Sequence, residues 1–164
     1  MQHPIRIFAW GNRGRRDDGV ALLLAERLEE RYADDCGVIV QQYHQLGPEL
    51  VEELNHCSLA IFIDAHVSDG FEEVHLERIE PTEAGGFDTH HCHPSVLLTL
   101  GRCMGFELPE SVLVAIRGYD FDFGDGLSPK TAAAMARAEA AIVDMIQARQ
   151  RGFQKGGCTC TSCP

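Results

Sequence analysis

The sequence has no long hydrophobic run and no basic stripe. No stretch approaches the roughly 20 apolar residues that span a membrane, and the opening segment MQHPIRIFAW has too short an apolar run for a signal peptide. The net charge of −11 opposes a phosphate backbone. We therefore expect a cytoplasmic protein whose partners include neither a membrane nor nucleic acid.

A framework of paired cysteines is also missing, since the number of cysteines, seven, is odd. Three lie together near the C-terminus: Cys158, Cys160 and Cys163. The others are scattered through segments with a helix or strand pattern: Cys36, Cys57, Cys92 and Cys103. This distribution fits reduced thiols in a reducing compartment.

Short apolar runs alternate with helical patterns, which predicts a layered α/β fold with a largely parallel sheet. The predicted strands cover residues 5–10, 38–43, 59–64, 72–79 and 111–116, with 72–79 as an antiparallel edge strand. Helices are predicted from Val20, Pro48, Pro94 and Pro129, and Leu97, Leu100 and Met104 form the apolar stripe of the third. We expect one domain over residues 1–151 and a tail over 152–164 that is mobile.

The first turn, GNRGRRDDGV at residues 11–20, follows the first strand, where ligands bind in open α/β sheets. It lacks the G-x-G-x-x-G and Walker patterns, and paired acids would repel a phosphate. Asp17 and Asp18 suit a metal ion or another cation. The alternative is that both acids cap the following helix and complement its dipole.

Asp64 ends the apolar strand LAIFI and is a second candidate ligand. Parallel strands would place it at the same edge of the sheet as Asp17 and Asp18. An aspartate in this position can also simply form a turn. His66 could face the same way but ranks below Asp64.

The segment DTHHCHPSVLL at residues 88–98 contains His90, His91, Cys92 and His93 in consecutive positions. Imidazole together with carboxylates suits borderline ions such as nickel or zinc. Four adjacent residues cannot all point at one ion, and the usual structural-zinc spacings are absent. The alternative is a surface loop that merely contains histidines.

Other catalytic patterns are scarce. There is no G-x-S-x-G nucleophile motif, and a histidine next to Cys92 in sequence is no evidence for a catalytic pair. The segment DFDFGDG at residues 120–126 fails the register of a calcium-binding EF-hand, so we expect a loop that leads into the last helix.

Four segments in order resemble the nickel-iron hydrogenase maturation endopeptidases, which trim the C-terminus of the hydrogenase large-subunit precursor after nickel insertion. They are GN followed after four residues by DDG, then IDA, then THH followed by proline and LL, and finally GYDFDFGDGLSP. The resemblance covers residues 5–148. The segments AWGN and RGYDF resemble those of the branch that serves soluble, NAD-linked or bidirectional hydrogenases. It departs from many members at Ala9, where they have glycine, and at Asp18, where they have the longer glutamate.

The resemblance implies a three-layer α/β/α sandwich with a twisted sheet of about five strands. It implies that Asp18, Asp64 and His90 contact the metal and carry catalysis. The metal is nickel carried by the precursor, the resting enzyme holds none, and zinc or cadmium could substitute for it in crystals. Without a nucleophile motif, water would attack the peptide bond directly.

The leading hypothesis is therefore a nickel-dependent processing endopeptidase, a monomer whose partner is the hydrogenase large-subunit precursor. The alternative is a nickel-binding assembly factor that binds the same precursor without cutting it, which the cysteine-rich tail would favour as a soft-ligand cluster. A flavodoxin-like binder of small molecules is a third hypothesis, disfavoured by the acidic first turn.

Overall fold

The computed structural model describes residues 3–67, 72–82 and 93–154. Within these ranges the chain alternates between strands and helices as the sequence predicts. The strands are β1 (Ile5–Trp10), β2 (Val38–Tyr43), β3 (Leu59–His66), β4 (Val74–Arg78) and β5 (Glu110–Arg117). The helices are α1 (Val20–Arg31), α2 (Val51–Leu54), α3 (Pro94–Cys103) and α4 (Pro129–Gln154), with short 3-10 turns at Arg16–Gly19 and Pro48–Leu50.

The strands form one sheet in the order β2-β1-β3-β5-β4. β1, β2, β3 and β5 are parallel, while β4 pairs with β5 in the antiparallel direction at the edge. In the central register, Ile7 lies between Val40 and Ile61, and Asp64 pairs with Ala115. The structure thus confirms a mostly parallel sheet with an antiparallel edge strand.

Helices cover both faces of this sheet because the residues of the central strand alternate between the faces. Ile61 and Ile63 pack into the core beneath α1 and α4. Ala60 and Phe62 pack into the second core, beneath α2 and α3. The fold is therefore the predicted three-layer α/β/α sandwich, and the alternation assigns Asp64 to the α3 side.

Some details differ from the sequence-based expectation. Met104 is 47% exposed and follows the end of α3, whereas the buried Leu98 completes the apolar face together with Leu97. β3 continues beyond Asp64 to His66 because its pairing with β5 extends that far. α4 runs to Gln154, so the first three residues assigned to the tail are helical; residues 155–164 lie outside the described part.

The cysteines that the structure describes are free thiols, as expected: Cys36 and Cys103 are exposed and Cys57 is buried. Burial raises the pKa of the Cys57 thiol to about 11, which keeps it protonated and unreactive. Cys92 and the three tail cysteines lie outside the described residues. In the described ranges no helix combines the length and the apolar character needed to cross a membrane.

Candidate active site

The candidate site lies at the carboxyl edge of the sheet, where β1 and β3 end side by side. The turn after β1 folds back on itself, since the backbone N–H of Asn12 donates to the carbonyl of Asp18 at 3.3 Å. The 3-10 turn that contains Asp18 packs against β3. Asp18 and Asp64 come together in this way from positions far apart in the sequence, as predicted.

Asp64 is a partly buried carboxylate with a strongly altered proton affinity. Its pKa is raised to about 7, chiefly by burial. The Ala65 N–H, which donates to Asp64 Oδ1 at 2.8 Å, lowers the pKa, and the charge of Asp18 makes a smaller contribution that raises it. Two carboxylates that repel each other in a partly buried place favour either a proton or a cation between them. The pair is therefore a candidate cation site.

Asp17, the neighbour of Asp18, has a quite different environment. It is completely buried, and its carboxylate accepts hydrogen bonds from the N–H groups of Tyr119 (2.8 Å), Asp120 (2.9 Å) and Ser128 (2.7 Å). It also accepts from the hydroxyls of Ser128 (2.8 Å) and Thr131 (2.9 Å). Burial alone would raise the pKa of Asp17, but these hydrogen bonds lower it overall. Asp17 thus joins the first turn to the segment that leads into α4.

The hypothesis that Asp17 and Asp18 cap α1 is wrong. The N-cap of α1 is Gly19, and it makes no side-chain capping bond. Instead, the acids lie in the preceding 3-10 turn, where Arg16 adopts a positive φ of 45°. Its N–H donates to the Gly124 carbonyl at 3.0 Å and so ties the turn to the loop after β5. Nothing local in GNRGRRDDGV indicates this long-range contact, which is why the sequence suggested a cap.

The C-terminal end of α3 lies at the amino edge of the sheet. There Gly105, two residues after the helix ends, lines a cavity of about 340 Å³ together with His3 and His56, which precede β1 and β3. The N-terminal end of α3 begins at Pro94, directly after His93.

His93 is the N-cap of α3. Its Nδ1 accepts a hydrogen bond from the Ser95 N–H at 3.2 Å and lies 2.8 Å from the Ser95 hydroxyl. A ring nitrogen that accepts a backbone N–H carries no proton, so in the neutral ring the proton is on Nε2. In this arrangement neither nitrogen of His93 has a lone pair left for a metal ion.

The third predicted ligand, His90, lies outside the described residues, as do His91 and Cys92. Within the ranges that are described, no group of three or more histidine, cysteine, aspartate or glutamate side chains could hold a metal ion. Asp18 and Asp64 are therefore the described members of the predicted trio, and the metal-binding role of all three residues stays a prediction.

His66 lies two residues after Asp64, which places it on the same face of β3. Burial lowers its pKa; the nearby charge of Arg117 also lowers it, whereas a hydrogen bond with the Glu72 backbone raises it. The ring is thus held in its neutral form. It lies beside the candidate site, and its rank below Asp64 as a ligand stays a prediction.

Solved structures with this fold were found, although no protein-family model matches the sequence and no curated protein matches it. The hydrogenase maturating endopeptidase HybD from E. coli superimposes with a TM-score of 0.68 at 18% identity, covering 88% of this chain and 92% of that one. The [NiFe] hydrogenase maturation protease HybD from Thermococcus kodakarensis gives 0.65 at 21% identity, with 87% and 98% covered. The protease HycI from Thermococcus kodakarensis KOD1 gives 0.63 at 20%, with 88% and 93% covered. The chain has the fold of the hydrogenase maturation endopeptidases over nearly its whole length.

Proposed function

We propose that this protein is an endopeptidase that removes a C-terminal peptide from the precursor of the nickel-iron hydrogenase large subunit after nickel insertion. The observation that carries the proposal is the pair Asp18 and Asp64, held together at the carboxyl edge of a sheet with this fold. The structures with the same fold are named as hydrogenase maturation proteases, which supports the choice of substrate.

The acid pair fits a divalent cation. A dication next to Asp18 and Asp64 would offset their mutual repulsion and displace the proton that Asp64 holds near neutral pH. Carboxylate and imidazole ligands suit nickel, and His90 is the proposed source of the imidazole. In this proposal nickel arrives with the precursor as part of the substrate, so the enzyme recognises a precursor whose metal centre is complete.

The reaction is hydrolysis of one peptide bond. A water oxygen bonds to the scissile carbonyl carbon, the C–N bond breaks, and a proton passes to the nitrogen that leaves as an amine. Nickel would contribute Lewis acidity, orientation of the substrate, or both. The residues of this chain would hold the substrate in position, since Asp18 in the turn after β1 and Asp64 in β3 are fixed by the fold at one edge of the sheet. We expect the enzyme to act as a monomer in the cytoplasm.

Incubation of the purified protein with nickel-loaded and nickel-free precursor tests this proposal, with intact mass of the precursor as the readout. We expect loss of a C-terminal peptide from the loaded form alone. Cleavage of both forms would overturn the nickel requirement.

An unchanged mass combined with a stable, nickel-dependent complex would instead favour the non-cleaving assembly factor. Truncation after Gly156, which removes Cys158, Cys160 and Cys163, separates these two functions further. The endopeptidase should keep its activity without this tail, whereas an assembly factor that binds nickel through it should lose nickel binding.

A further inference from the structure

Phe123 is an aromatic side chain that is 86% exposed, the largest exposed fraction among the large hydrophobic residues that the structure describes. It lies in the loop between β5 and α4, at the carboxyl edge of the sheet. Single exposed apolar residues are common on protein surfaces and need no explanation. Three further features distinguish Phe123: its fixed backbone, its neighbour Arg15 and its position against the turn that carries Asp18.

The backbone around Phe123 is held on both sides. The Gly124 N–H donates to the Gly14 carbonyl, and the Arg16 N–H donates to the Gly124 carbonyl, each at 3.0 Å. Nearby, the Asp17 N–H donates to the Asp120 carbonyl at 3.0 Å. The ring thus protrudes from a segment that is already ordered, so a partner that buries it would pay little for ordering the backbone.

Arg15 accompanies the exposed ring. Its guanidinium carbon lies 5.6 Å from the centre of the Phe123 ring, and its Nε–H donates to the Phe121 carbonyl at 3.2 Å. The cation therefore has a defined place over the aromatic face. Aromatic residues and arginine are enriched in the centres of protein–protein interfaces, where few residues supply most of the binding energy.

This surface adjoins the turn that carries Asp18. Arg15 precedes Asp18 by three residues in the same turn. Beyond Asp64, Val67 is 70% exposed and follows β3 at the same edge. The Asp18 N–H also donates to the Arg15 carbonyl at 3.0 Å, so a partner that buries Phe123 would lie against the turn that carries Asp18.

The charges around Phe123 indicate which kind of partner fits. Asp122 and Asp125 are both exposed and flank the ring in sequence, while Arg15 lies over the ring and Arg16 pairs with Asp120 at 2.7 Å. The chain as a whole carries a net charge of −11, which disfavours an anionic lipid surface or a nucleic acid. On the side of Asp122 and Asp125, an apolar pocket with lysine and arginine at its rim would be complementary.

We propose that Phe123, supported by Arg15, docks the hydrogenase large-subunit precursor by inserting into an apolar pocket with a basic rim. This inference rests on the proposed function for the identity of the partner. It adds a residue that determines substrate affinity and lies outside the acid pair and its predicted histidine.

Steady-state cleavage of the nickel-loaded precursor by the Phe123→Ala variant tests the inference. We expect KM to rise roughly tenfold, with kcat within about twofold of wild type, because the ring acts in binding and not on the reacting bond. Met104→Ala is the matched control: this side chain is also exposed, at 47%, but lies at the other end of α3. An unchanged KM for Phe123→Ala, or an equal rise for Met104→Ala, would overturn the proposal.

Charge reversal at Asp125→Lys tests the basic rim separately. We expect a higher KM at low salt and a weaker dependence of KM on salt than in wild type. An identical salt dependence would contradict a basic rim. Circular dichroism of each variant verifies that the fold is retained.

A binding measurement distinguishes failure of this inference from failure of the proposed function. The affinity of Asp64→Asn for the loaded precursor is compared with that of Asp64→Asn combined with Phe123→Ala. Weaker binding of the double variant supports docking through Phe123 even if no cleavage is ever observed. Equal affinity, together with normal cleavage by wild type, overturns the docking inference and leaves the proposed function intact.

Discussion

Asp17 and Asp64 are two carboxylates at the same edge of the sheet, and their environments are opposite. Asp17 is completely buried and accepts hydrogen bonds from backbone and hydroxyl donors on the segment that leads into α4, which lower its pKa overall. Asp64 lies beside the charge of Asp18, and burial raises its pKa to about 7. The protein satisfies the charge of Asp17 with its own donors. The charge of Asp64 is left for a proton or for a cation from outside.

The largest expected effect is on cleavage. Asp64→Asn keeps the size of the side chain but removes the charge that faces Asp18, and we expect the cleavage rate to fall about 1,000-fold or more, equivalent to ~4 kcal/mol. Asp18→Asn should have the same effect, since either change halves the negative charge offered to nickel. Time courses with loaded precursor measure this loss.

The matched control for these variants is Asp144→Asn, at an exposed acid of α4. It removes the same charge from the surface and should leave the cleavage rate unchanged. If Asp64→Asn retained more than about a tenth of wild-type activity, Asp64 would not hold the metal.

The next largest effect is on stability, and it belongs to Asp17. Asp17→Ala leaves buried donors of Tyr119, Ser128 and Thr131 without their acceptor, so we expect the free energy of unfolding to fall by roughly 3–5 kcal/mol. Urea denaturation measures it. Asp18→Ala, one residue further, should lower the free energy of unfolding by less than about 1 kcal/mol. Equal losses at the two positions would show that Asp17 is no more important for stability than Asp18.

A smaller effect is the pH dependence of stability in the absence of metal. Because folded Asp64 holds its proton more tightly than the unfolded chain does, its contribution to stability is complete below pH ~4 and is lost as the pH rises to about 7. Asp64→Asn cannot ionise. Relative to wild type it should therefore gain roughly 1–3 kcal/mol between pH 5 and 8.

Urea denaturation in chelator at several pH values measures this gain. Curves of wild type and Asp64→Asn that stay parallel across that range would show that the pKa of Asp64 is not raised. Asp144→Asn, the same substitution at an exposed position, should give a curve parallel to wild type.

The sequence predicted the layers, the mostly parallel sheet and the convergence of Asp18 and Asp64, because these depend on local periodicity and on the rule that parallel strands end at one edge. Residues 59–64 reveal a buried strand by composition, and Asp64 must then lie at its end. The role of Asp17 could not be predicted in this way. Its hydrogen-bond donors lie more than 100 residues away, and a cap explains an aspartate before a helix equally well from local sequence.

The contrast between satisfied and open groups extends to the histidines. His93 Nδ1 accepts the Ser95 N–H at the start of α3, which makes His93 the counterpart of Asp17, whereas His90 is the proposed counterpart of Asp64. His93→Ala should cost about 1 kcal/mol of stability through loss of the N-cap and change cleavage by less than about threefold. His90→Ala should leave stability unchanged and abolish cleavage.

Thermal denaturation and precursor cleavage of both variants decide between the two histidines, and His91→Ala completes the series. Asn is a good N-cap, so His93→Asn should restore the stability that His93→Ala loses. Suppose that His93→Ala abolished cleavage and that His93→Asn restored stability but not cleavage. The imidazole of His93 would then be the third ligand. In that case the hydrogen bond to Ser95 would have to break when the precursor binds, and the cap would describe only the enzyme without its substrate.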